Sequence, residues 1–404
     1  MSPIKKISIA VLVGALAFAG LATYRYIDLN KRITDIKKIQ PTATNSFRIQ
    51  IEPGLLSAKV VYSYETASPL FLKIVETGTV HYGLGYIFTG NVTGDFETYL
   101  EHNSKRISET PVAKSQLVFK SNNDLIETGV INAVPEKMQQ GGYQVSLTNN
   151  LSRLDASVNP GTIHVTNNGS EMTIEKPSLA LGLNIKNWTD SVFKLNVAKF
   201  QMTAGTVENI KLSMHDEKNG TKRNFFTDLS ANGNFTQQEI PEAYRKVDVD
   251  FSAAIENVAE TPYLLLIQLM QNKDSIEPEL FKTKVMEFSR AIISSGMTVS
   301  LKKAFVKTSG GDIVDVNAVL NLPVSDTTAE DWSNKVSGKM NFNLKGGPAD
   351  FIKDFSGGAF AQTADAEKFS IGYKNSEVQF NDKTATPEQM VLIRRLVGFL
   401  QIPK

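Results

Sequence analysis

Few side chains in this sequence have the types and spacings that catalysis or metal binding requires. Its four histidines are widely separated: His81, His102, His164 and His215. No two of them fall at the i, i+2 or i, i+4 spacing that starts a metal-binding element, and the chain has no cysteine to complete one. We therefore expect scattered surface histidines, no bound metal and no other cofactor.

Two further patterns resemble enzyme motifs but lack essential parts. Gly83-Leu84-Gly85 begins like a dinucleotide loop, but Phe88 stands where the third glycine belongs and no βαβ pattern surrounds it. Ser300 and Lys303 have the serine-x-x-lysine spacing of penicillin-binding enzymes, but they lie in an alternating strand without the companion motifs. Both patterns are interpreted as coincidences.

Asp248 and Asp250 lie on one face of a predicted strand, an arrangement that paired acid–base catalysis uses. They alternate with Val247, Val249 and Phe251, so a solvated outer face accounts for them. No residue is predicted to be catalytic. We therefore predict that the protein is not an enzyme. A hydrolase whose residues converge only in the folded chain is the remaining enzymatic alternative.

Composition limits the partners of the chain. Lys and Arg number 43 against 42 Asp and Glu, a net charge of +1, which argues against a nucleic-acid-binding face. Hydrophobic residues make up 41% of 404 residues, enough for a sizeable core in two domains. Without cysteine, neither a disulfide framework nor a lipoprotein anchor can form.

Residues 7–24 form an uncharged segment that predicts a transmembrane anchor. As a helix its 18 residues would reach roughly 27 Å, the thickness of a bilayer core. The predicted anchor residues are Ile7, Val11, Leu12, Val13, Leu16, Phe18, Leu21 and Tyr24. A cleaved signal peptide is the alternative. We predict a retained single-pass anchor in the bacterial inner membrane, with residues 1–6 in the cytoplasm and the body in the periplasm.

Residues 25–45 are predicted to form a juxtamembrane stalk helix that ends at Pro41. Its apolar residues at alternating three- and four-residue spacings are Tyr26, Leu29, Ile33 and Ile36. A stalk helix lying on the body is the first interpretation of this seam, and the contact of a homodimer is the alternative. Fewer than two heptads cannot hold a coiled coil alone.

From residue 46 the hydrophobic period becomes two. Leu179, Leu181 and Leu183 alternate with small or polar residues, as expected for antiparallel strands with one buried face. The fold class is therefore mainly β, a β-rich α+β protein. We place an N-terminal antiparallel β domain at 46–245 and a C-terminal β domain at 246–404.

The second half is interrupted by helices. They are predicted near 262–271, 278–295 and 387–400. Thr261-Pro262 has the N-cap and first-position signal of the first helix, and Thr386 to Gln389 has the capping box of the last. A further helix is predicted at Asp95 to Arg106, with Asp95 as its N-cap.

These few helices cannot cover the apolar face of so many strands. Either two antiparallel sheets form a sandwich, or one large curved sheet surrounds an apolar trough. One helix is apolar around most of its circumference, through Leu264, Leu265, Leu266 and Ile267. Burial under the sheet is the first interpretation of these residues. A lid over a lipid-accepting trough, or a contact with a second subunit, is the alternative.

Two segments resemble parts of a known family: Pro53-Gly54-Leu55-Leu56-Ser57-Ala58 at a strand entry and Ile371 to Lys383 at a closing strand. Both are similar to the corresponding segments of the YdgA-like family of bacterial inner-membrane-anchored periplasmic proteins. His81-Tyr82-Gly83 departs from the histidine-glycine-proline that the family often carries there. The resemblance implies a membrane anchor, a periplasmic body, homodimers and no established activity.

The sequence thus predicts a non-enzymatic, membrane-anchored envelope protein. Its expected partner is an apolar, lipid-like ligand or an envelope protein bound along a β-sheet groove. A structural or dimeric scaffold of the envelope is the alternative.

Overall fold

The structure is a computed structural model. It describes residues 31, 47–53, 56–65, 72–102, 105–149, 152–167, 170–185, 187, 189–324, 334–357, 359–360 and 366–400. The predicted anchor at 7–24 and the predicted seam from Tyr26 to Ile36 lie outside these residues. The helices in the described part of the chain all lack the length and hydropathy that spanning a bilayer requires.

The protein is mainly β, with 59% strand and antiparallel pairing, which confirms the predicted class. Its residue contacts separate into two compact units, unit 1 (Met1–Gly161) and unit 2 (Thr162–Lys404). The strands of unit 1 are β1 (Phe47–Pro53), β2 (Ser57–Glu65), β3 (Leu72–His81), β4 (Val92–His102), β5 (Lys105–Arg106), β6 (Ala113–Phe119), β7 (Leu125–Ile131), β8 (Gly141–Thr148) and β9 (Arg153–Asn159).

Unit 1 is an antiparallel meander in which each strand pairs with the next, except that the short β5 pairs only with the end of β4. The two-residue alternation of the sequence explains why these segments form strands, because successive side chains in a strand point to opposite faces. A short helix, α1 (Leu84–Thr89), connects β3 to β4 and contains Gly85 of the dinucleotide-like loop.

The helix predicted at Asp95 to Arg106 is wrong, because most of this segment belongs to β4 and β5. Along β4, Val92, Phe96 and Thr98 are buried while Asp95 is exposed. Pairing with β3 on one side and β6 on the other satisfies the backbone of β4. Tertiary pairing therefore outweighs the local helix signal of the Asp95 cap.

Unit 2 contains the longer strands. They are β10 (Ile163–Asn167), β11 (Ser170–Glu175), β12 (Ser178–Asn184), β13 (Thr189–Met202), β14 (Gly205–Asn219), β15 (Lys222–Phe235), β16 (Lys246–Ala259), β17 (Thr298–Thr308), β18 (Ile313–Asn321), β19 (Ser337–Lys345), β20 (Lys368–Lys374), β21 (Glu377–Phe380) and β22 (Lys383–Thr384). From β12 to β22 each strand pairs antiparallel with the next in sequence.

Two features of this ladder concern the predicted architecture. The boundary predicted at 245/246 falls between β15 and β16, which pair along nearly their whole length. The register shifts in five strand pairs, for example between Ser252 and Ala253 of β16 and between Leu301 and Ala304 of β17. Such β-bulges bend strands and increase their twist.

The described part of unit 2 contains four longer α-helices: α2 (Glu260–Gln271), α3 (Pro278–Ile293), α4 (Gly347–Phe355) and α5 (Pro387–Leu400). Three of them match the predicted helices, and α4 was not predicted. The capping box of α5 is confirmed, because the Thr386 N–H donates to Gln389 Oε1 (2.9 Å) and the Gln389 N–H donates to Thr386 Oγ1 (3.4 Å). The N-cap predicted at Thr261 is wrong, since α2 begins at Glu260.

A hydrophobic core lies where α4 and α5 cover strands β19 to β21. Leu392 of α5 has no exposed surface, and Phe369 and Phe380 are 4% and 2% exposed. The rings of Phe369 and Phe380 stack with centroids 5.7 Å apart. Burying a Leu or Phe side chain contributes roughly 1.5–3 kcal/mol, so this cluster anchors the C-terminal end of the ladder.

Candidate functional site

The candidate functional site is one face of the ladder of unit 2. Residues paired directly across antiparallel strands lie on the same face, so the register defines rows of side chains. One row runs from β12 to β20 through Leu179, Leu195, Leu212, Leu229, Phe251, Ala304, Val316, Phe342 and Phe369. A parallel row runs through Leu181, Phe193, Met214, Thr227, Ala253, Leu301, Ala318, Met340 and Ile371. We call the surface formed by these two rows the apolar face.

The apolar face remains partly exposed over β12 to β18. Leu179 is 38% exposed and Met214 is 45% exposed, and beside the two rows Ile255 and Leu320 are 41% and 40% exposed. Among the described residues of these strands, the hydrophobic side chains that are fully buried are Val197, Ala254 and Val258. Contiguous exposed apolar surface of this kind marks an interaction site more often than a folding defect.

The other end of the same face is covered by helices. Phe342 and Phe369 continue the first row, but α4 and α5 pack over them and form a closed core. The ladder therefore has one apolar face with two environments, a covered end and an open stretch. The open stretch spans β12 to β18, whereas the covered end spans β19 to β21.

The helices α2 and α3 form a hairpin at the edge of the apolar face. The Tyr263 ring of α2 packs on Phe225 of β15 with centroids 5.1 Å apart. The predicted lid residues lie in α2, where Leu265 is 41% exposed and Leu264, Leu266 and Ile267 are half-buried. None of these four residues is fully buried, and both interpretations, burial under the sheet and a lid, stay predictions.

A buried arginine fastens the start of this hairpin to the strands. Arg223 of β15 is 2% exposed, and its guanidinium pairs with Asp216, with Asp190 (Nη2–Oδ1 3.1 Å) and with Glu260 (Nε–Oε1 3.2 Å). Lys218 reaches the other oxygen of Glu260 (Nζ–Oε2 2.6 Å). Because Glu260 is the first residue of α2, the network fixes where the hairpin leaves the sheet.

The pKa values in this network follow from its charges. Burial of Arg223 disfavours the charged guanidinium, but the hydrogen bond to Asp190 and the charge of Asp216 raise its pKa overall. The hydrogen bond from Lys218 holds the pKa of Glu260 below its usual value, and the charge of Arg223 acts in the same direction. Both groups are therefore stabilised in their charged forms, as a structural clasp requires.

Sequence reasoning missed Arg223, although its position carries a signal. It precedes Phe225, Thr227 and Leu229 at two-residue spacing, so it occupies the side of the strand that bears apolar residues. A charged residue at an inward strand position has to be paired when it is buried. An acid at an inward strand position gives the same signal in two other places. Glu76 stands two residues from both Ile74 and Gly78, and Glu127 stands two residues from both Leu125 and Gly129.

The residues considered for metal binding stay apart. His164 Nδ1 lies 3.1 Å from Thr173 Oγ1, His215 stacks on Phe226 (4.8 Å between centroids), and His81 Nε2 lies 3.7 Å from Asp95. Among the residues that the structure describes, no group of three or more His, Cys, Asp and Glu side chains gathers where a metal ion could bind.

Residues of the enzyme-like patterns make structural contacts with other residues of the sheet. Lys303 pairs with Asp250 (Nζ–Oδ2 2.6 Å) and Asp248 accepts a hydrogen bond from Asn232 (2.8 Å). Both acids lie on the face opposite the apolar one, as expected for a solvated outer face. Ser300 and Lys303 both lie in β17, where Ser300 is paired with Ala254 and Lys303 with Ser252 of β16.

Comparison with known proteins identifies no relative. No protein-family model, no curated protein and no solved structure matches the chain significantly. The resemblance to YdgA-like proteins therefore stays a prediction.

Proposed function

We propose that this chain is a non-enzymatic, single-pass membrane protein of the bacterial envelope that binds a lipid-like ligand along the apolar face of unit 2. Its anchor is the segment 7–24, and its body lies on the periplasmic side of the inner membrane. The observation that supports this proposal is the open apolar face over β12 to β18, with exposed side chains such as Leu179 and Met214.

The energetics favour an extended apolar ligand. Each methylene that leaves water contributes about 0.8 kcal/mol, so ten methylenes of an acyl chain along the rows would contribute on the order of 8 kcal/mol before the cost of association. The row from Leu179 to Val316 crosses seven strands, or roughly 29 Å at 4.8 Å per strand. That distance accommodates a full-length acyl chain.

The test is ligand recovery from the full-length protein and from a variant of the apolar face. The protein is purified in an amphipathic polymer to which no lipid is added. We expect mass spectrometry of this preparation to show bound lipid. Met214→Asp should lower the bound amount at least tenfold, because it places a charge in the path of the chain. Since Met214 is already 45% exposed, this substitution should leave folding intact.

The matched control is Asn196→Asp, which adds the same charge on the opposite face of β13, where Asn196 pairs by register with Lys211. This variant should retain lipid at the wild-type level. Equal lipid content in the Met214→Asp variant and the wild type, or no lipid in either, would contradict the proposal.

The hairpin favours a second candidate function, a contact with an envelope protein or a second copy of the chain. Apolar side chains along α2 and α3 are exposed to 40–50%: Leu265, Met270, Leu280, Met286 and Ile293. Among the described residues of α3, none is fully buried. Crosslinking from cysteine introduced at Met286 in intact membranes should yield a discrete adduct, and monomers alone would remove this candidate.

A further inference from the structure

A second site lies in unit 1, on different strands from the apolar face. We call the side of the sheet that carries Val60, Tyr62, Glu76, Phe96, Glu127 and Tyr143 the inner face of unit 1. The register places these side chains on one side, since Val60 is paired with Gly78, Gly78 with Phe96, and Phe96 with Ser115.

The inner face is concave. Tyr62 of β2 and Glu127 of β7 are separated by β3, β4 and β6, about 19 Å in a flat sheet, which is more than the two side chains can bridge. The Tyr62 hydroxyl nevertheless donates to Glu127 Oε2 at 3.2 Å. The strands between them therefore curve, and side chains from the same face of widely separated strands meet over that face.

Glycines make room for aromatic rings at this site. A Cβ on Gly129 would lie 2.1 Å from the Tyr143 ring, and a Cβ on Gly78 would lie 2.4 Å from the Phe96 ring. The Tyr143 ring therefore lies against the backbone of β7, and its hydroxyl donates to Glu127 Oε1 at 2.7 Å. Tyr62 and Phe96 pack together with centroids 5.7 Å apart.

Among the residues that the structure describes, neither acid has a cationic partner. Glu76 and Glu127 are each 8% exposed. Glu127 accepts hydrogen bonds from two phenols, whereas Glu76 Oε1 accepts one from Thr98 (2.8 Å) and Glu76 Oε2 is buried without a partner. The basic residues that the register puts on this side of the described sheet are His102 and Lys105, both exposed at the turn that ends β4.

We propose that the inner face of unit 1 binds a protonated amine carried on an apolar chain, with the ammonium group at Glu76 Oε2. Carboxylates compensate the charge of an ammonium group, and the faces of aromatic rings attract it. Tyr62, Phe96 and Tyr143 provide those rings. The apolar residues of the same face, such as Val60, Val145 and Leu147, would contact the chain of the ligand.

The proposal does not depend on the lipid site of unit 2. It draws on a buried, unpartnered oxygen and on charge that no described cation balances. Burial and the charge of Glu127 raise the pKa of Glu76 to about 7, so the carboxylate is costly without a compensating cation and an ammonium ligand would stabilise it.

The experiment measures binding of hexylammonium, hexanoate and hexanol to the full-length protein in nanodiscs by titration calorimetry. We expect hexylammonium to bind at least tenfold more tightly than either matched probe. Glu76→Gln should weaken its binding at least tenfold, and Glu127→Gln should act in the same direction. Both changes are isosteric, and each removes the charge by replacing one acceptor oxygen with an amide donor.

Glu97→Gln is the matched control, because Glu97 lies in β4 on the opposite face of the same sheet and is only half-buried. Its affinity for hexylammonium should stay within twofold of the wild type. Hexanoate or hexanol binding as tightly as hexylammonium would overturn the proposal. So would unchanged affinity in a folded Glu76→Gln protein.

A free alkylamine and an aminophospholipid headgroup carry the same ammonium chemistry. Dihexanoylphosphatidylethanolamine is therefore a further probe. Binding that Glu76→Gln weakens assigns the site to aminolipids, whereas binding of hexylammonium alone assigns it to free amines. Both results support an ammonium site.

Discussion

A charged side chain on the inward side of a strand has to be paired or neutralised, and this chain does so in two ways. Arg223 is surrounded by Asp216, Asp190 and Glu260, so opposite charges compensate its burial. Glu76 and Glu127 receive hydrogen bonds from hydroxyl groups instead. The first arrangement is a structural clasp, and the second leaves a proton or a cationic ligand as the means of compensation.

The protonation of Glu76 should make unit 1 more stable in mild acid. Because its pKa is about 7 in the folded chain against an ordinary 4.5, the protonated form favours folding. This contribution, roughly 3 kcal/mol, is complete below pH 4.5 and is lost as the pH rises through 7. Amide hydrogen exchange, corrected for intrinsic rates, should show greater protection of β3 and β4 at pH 5 than at pH 8.

The groups that face Glu76 are Thr98 from β4, Glu127 from β7, Tyr62 from β2 and Tyr143 from β8. In Glu76→Gln the pH dependence should largely disappear, whereas exposed Glu109→Gln should keep the wild-type behaviour. Equal protection of the wild type at both pH values would show that Glu76 is ionised throughout.

At the scale of elements, polar contacts attach both ends of the hairpin of α2 and α3 to the strands. Arg223 pairs with Glu260 at the start of α2, and Ser295, just after α3, contacts Lys222 and Asn257. The hairpin's apolar contact with the strands includes the Tyr263–Phe225 pair, and its exposed residues lie on both helices. We expect the network around Arg223 to contribute more to the position of the start of α2 than the Tyr263–Phe225 contact does. If α2 is a lid over the apolar face, this network is its hinge.

Arg223→Met should loosen the hairpin. The substitution leaves Asp216 buried without its cation, and breaking a buried ion pair typically costs about 3–5 kcal/mol. We expect a lower urea midpoint and faster amide exchange throughout α2. Arg290→Met, on the exposed surface of α3, should change stability by less than about 0.5 kcal/mol. Unchanged exchange in α2 of the Arg223→Met variant would mean that packing alone holds the hairpin.

At the scale of the whole molecule, the proposed function requires the body to stay at a membrane. The anchor residues lie outside the described part of the chain, so a biochemical test has to decide this point. The full-length protein should remain in the membrane fraction after carbonate extraction at high pH, with its N-terminal residues intact by mass spectrometry.

A charge introduced into the anchor should release the protein. Arginine at the centre of a membrane segment costs about 3 kcal/mol, so Val13→Arg combined with Leu16→Arg should abolish insertion. Lys5→Arg, which keeps the charge pattern, should behave as wild type. Recovery of the wild-type chain in the soluble fraction would contradict the predicted anchor.

Most of the secondary structure was predictable because one-face burial imposes its period on the sequence. The alternation around Leu179, the strand from Val247 and the capping box at Thr386 all correspond to observed elements. The segment from Asp95 was mispredicted because its local signals favour a helix, whereas its pairing partners are β3 and β6. Helix α4 was missed because the core that it covers is completed by Phe369, Phe380 and Leu392, which belong to later elements of the chain.

The sequence by itself determined that this protein is built from antiparallel strands with one apolar side, because a strand repeats every two residues whatever surrounds it. Only the tertiary structure decided which part of that apolar side is covered, since cover comes from helices whose placement depends on distant strands. It also decided that Tyr62, Glu127 and Tyr143 meet. The curvature that brings them together belongs to the whole of unit 1 and to no single segment.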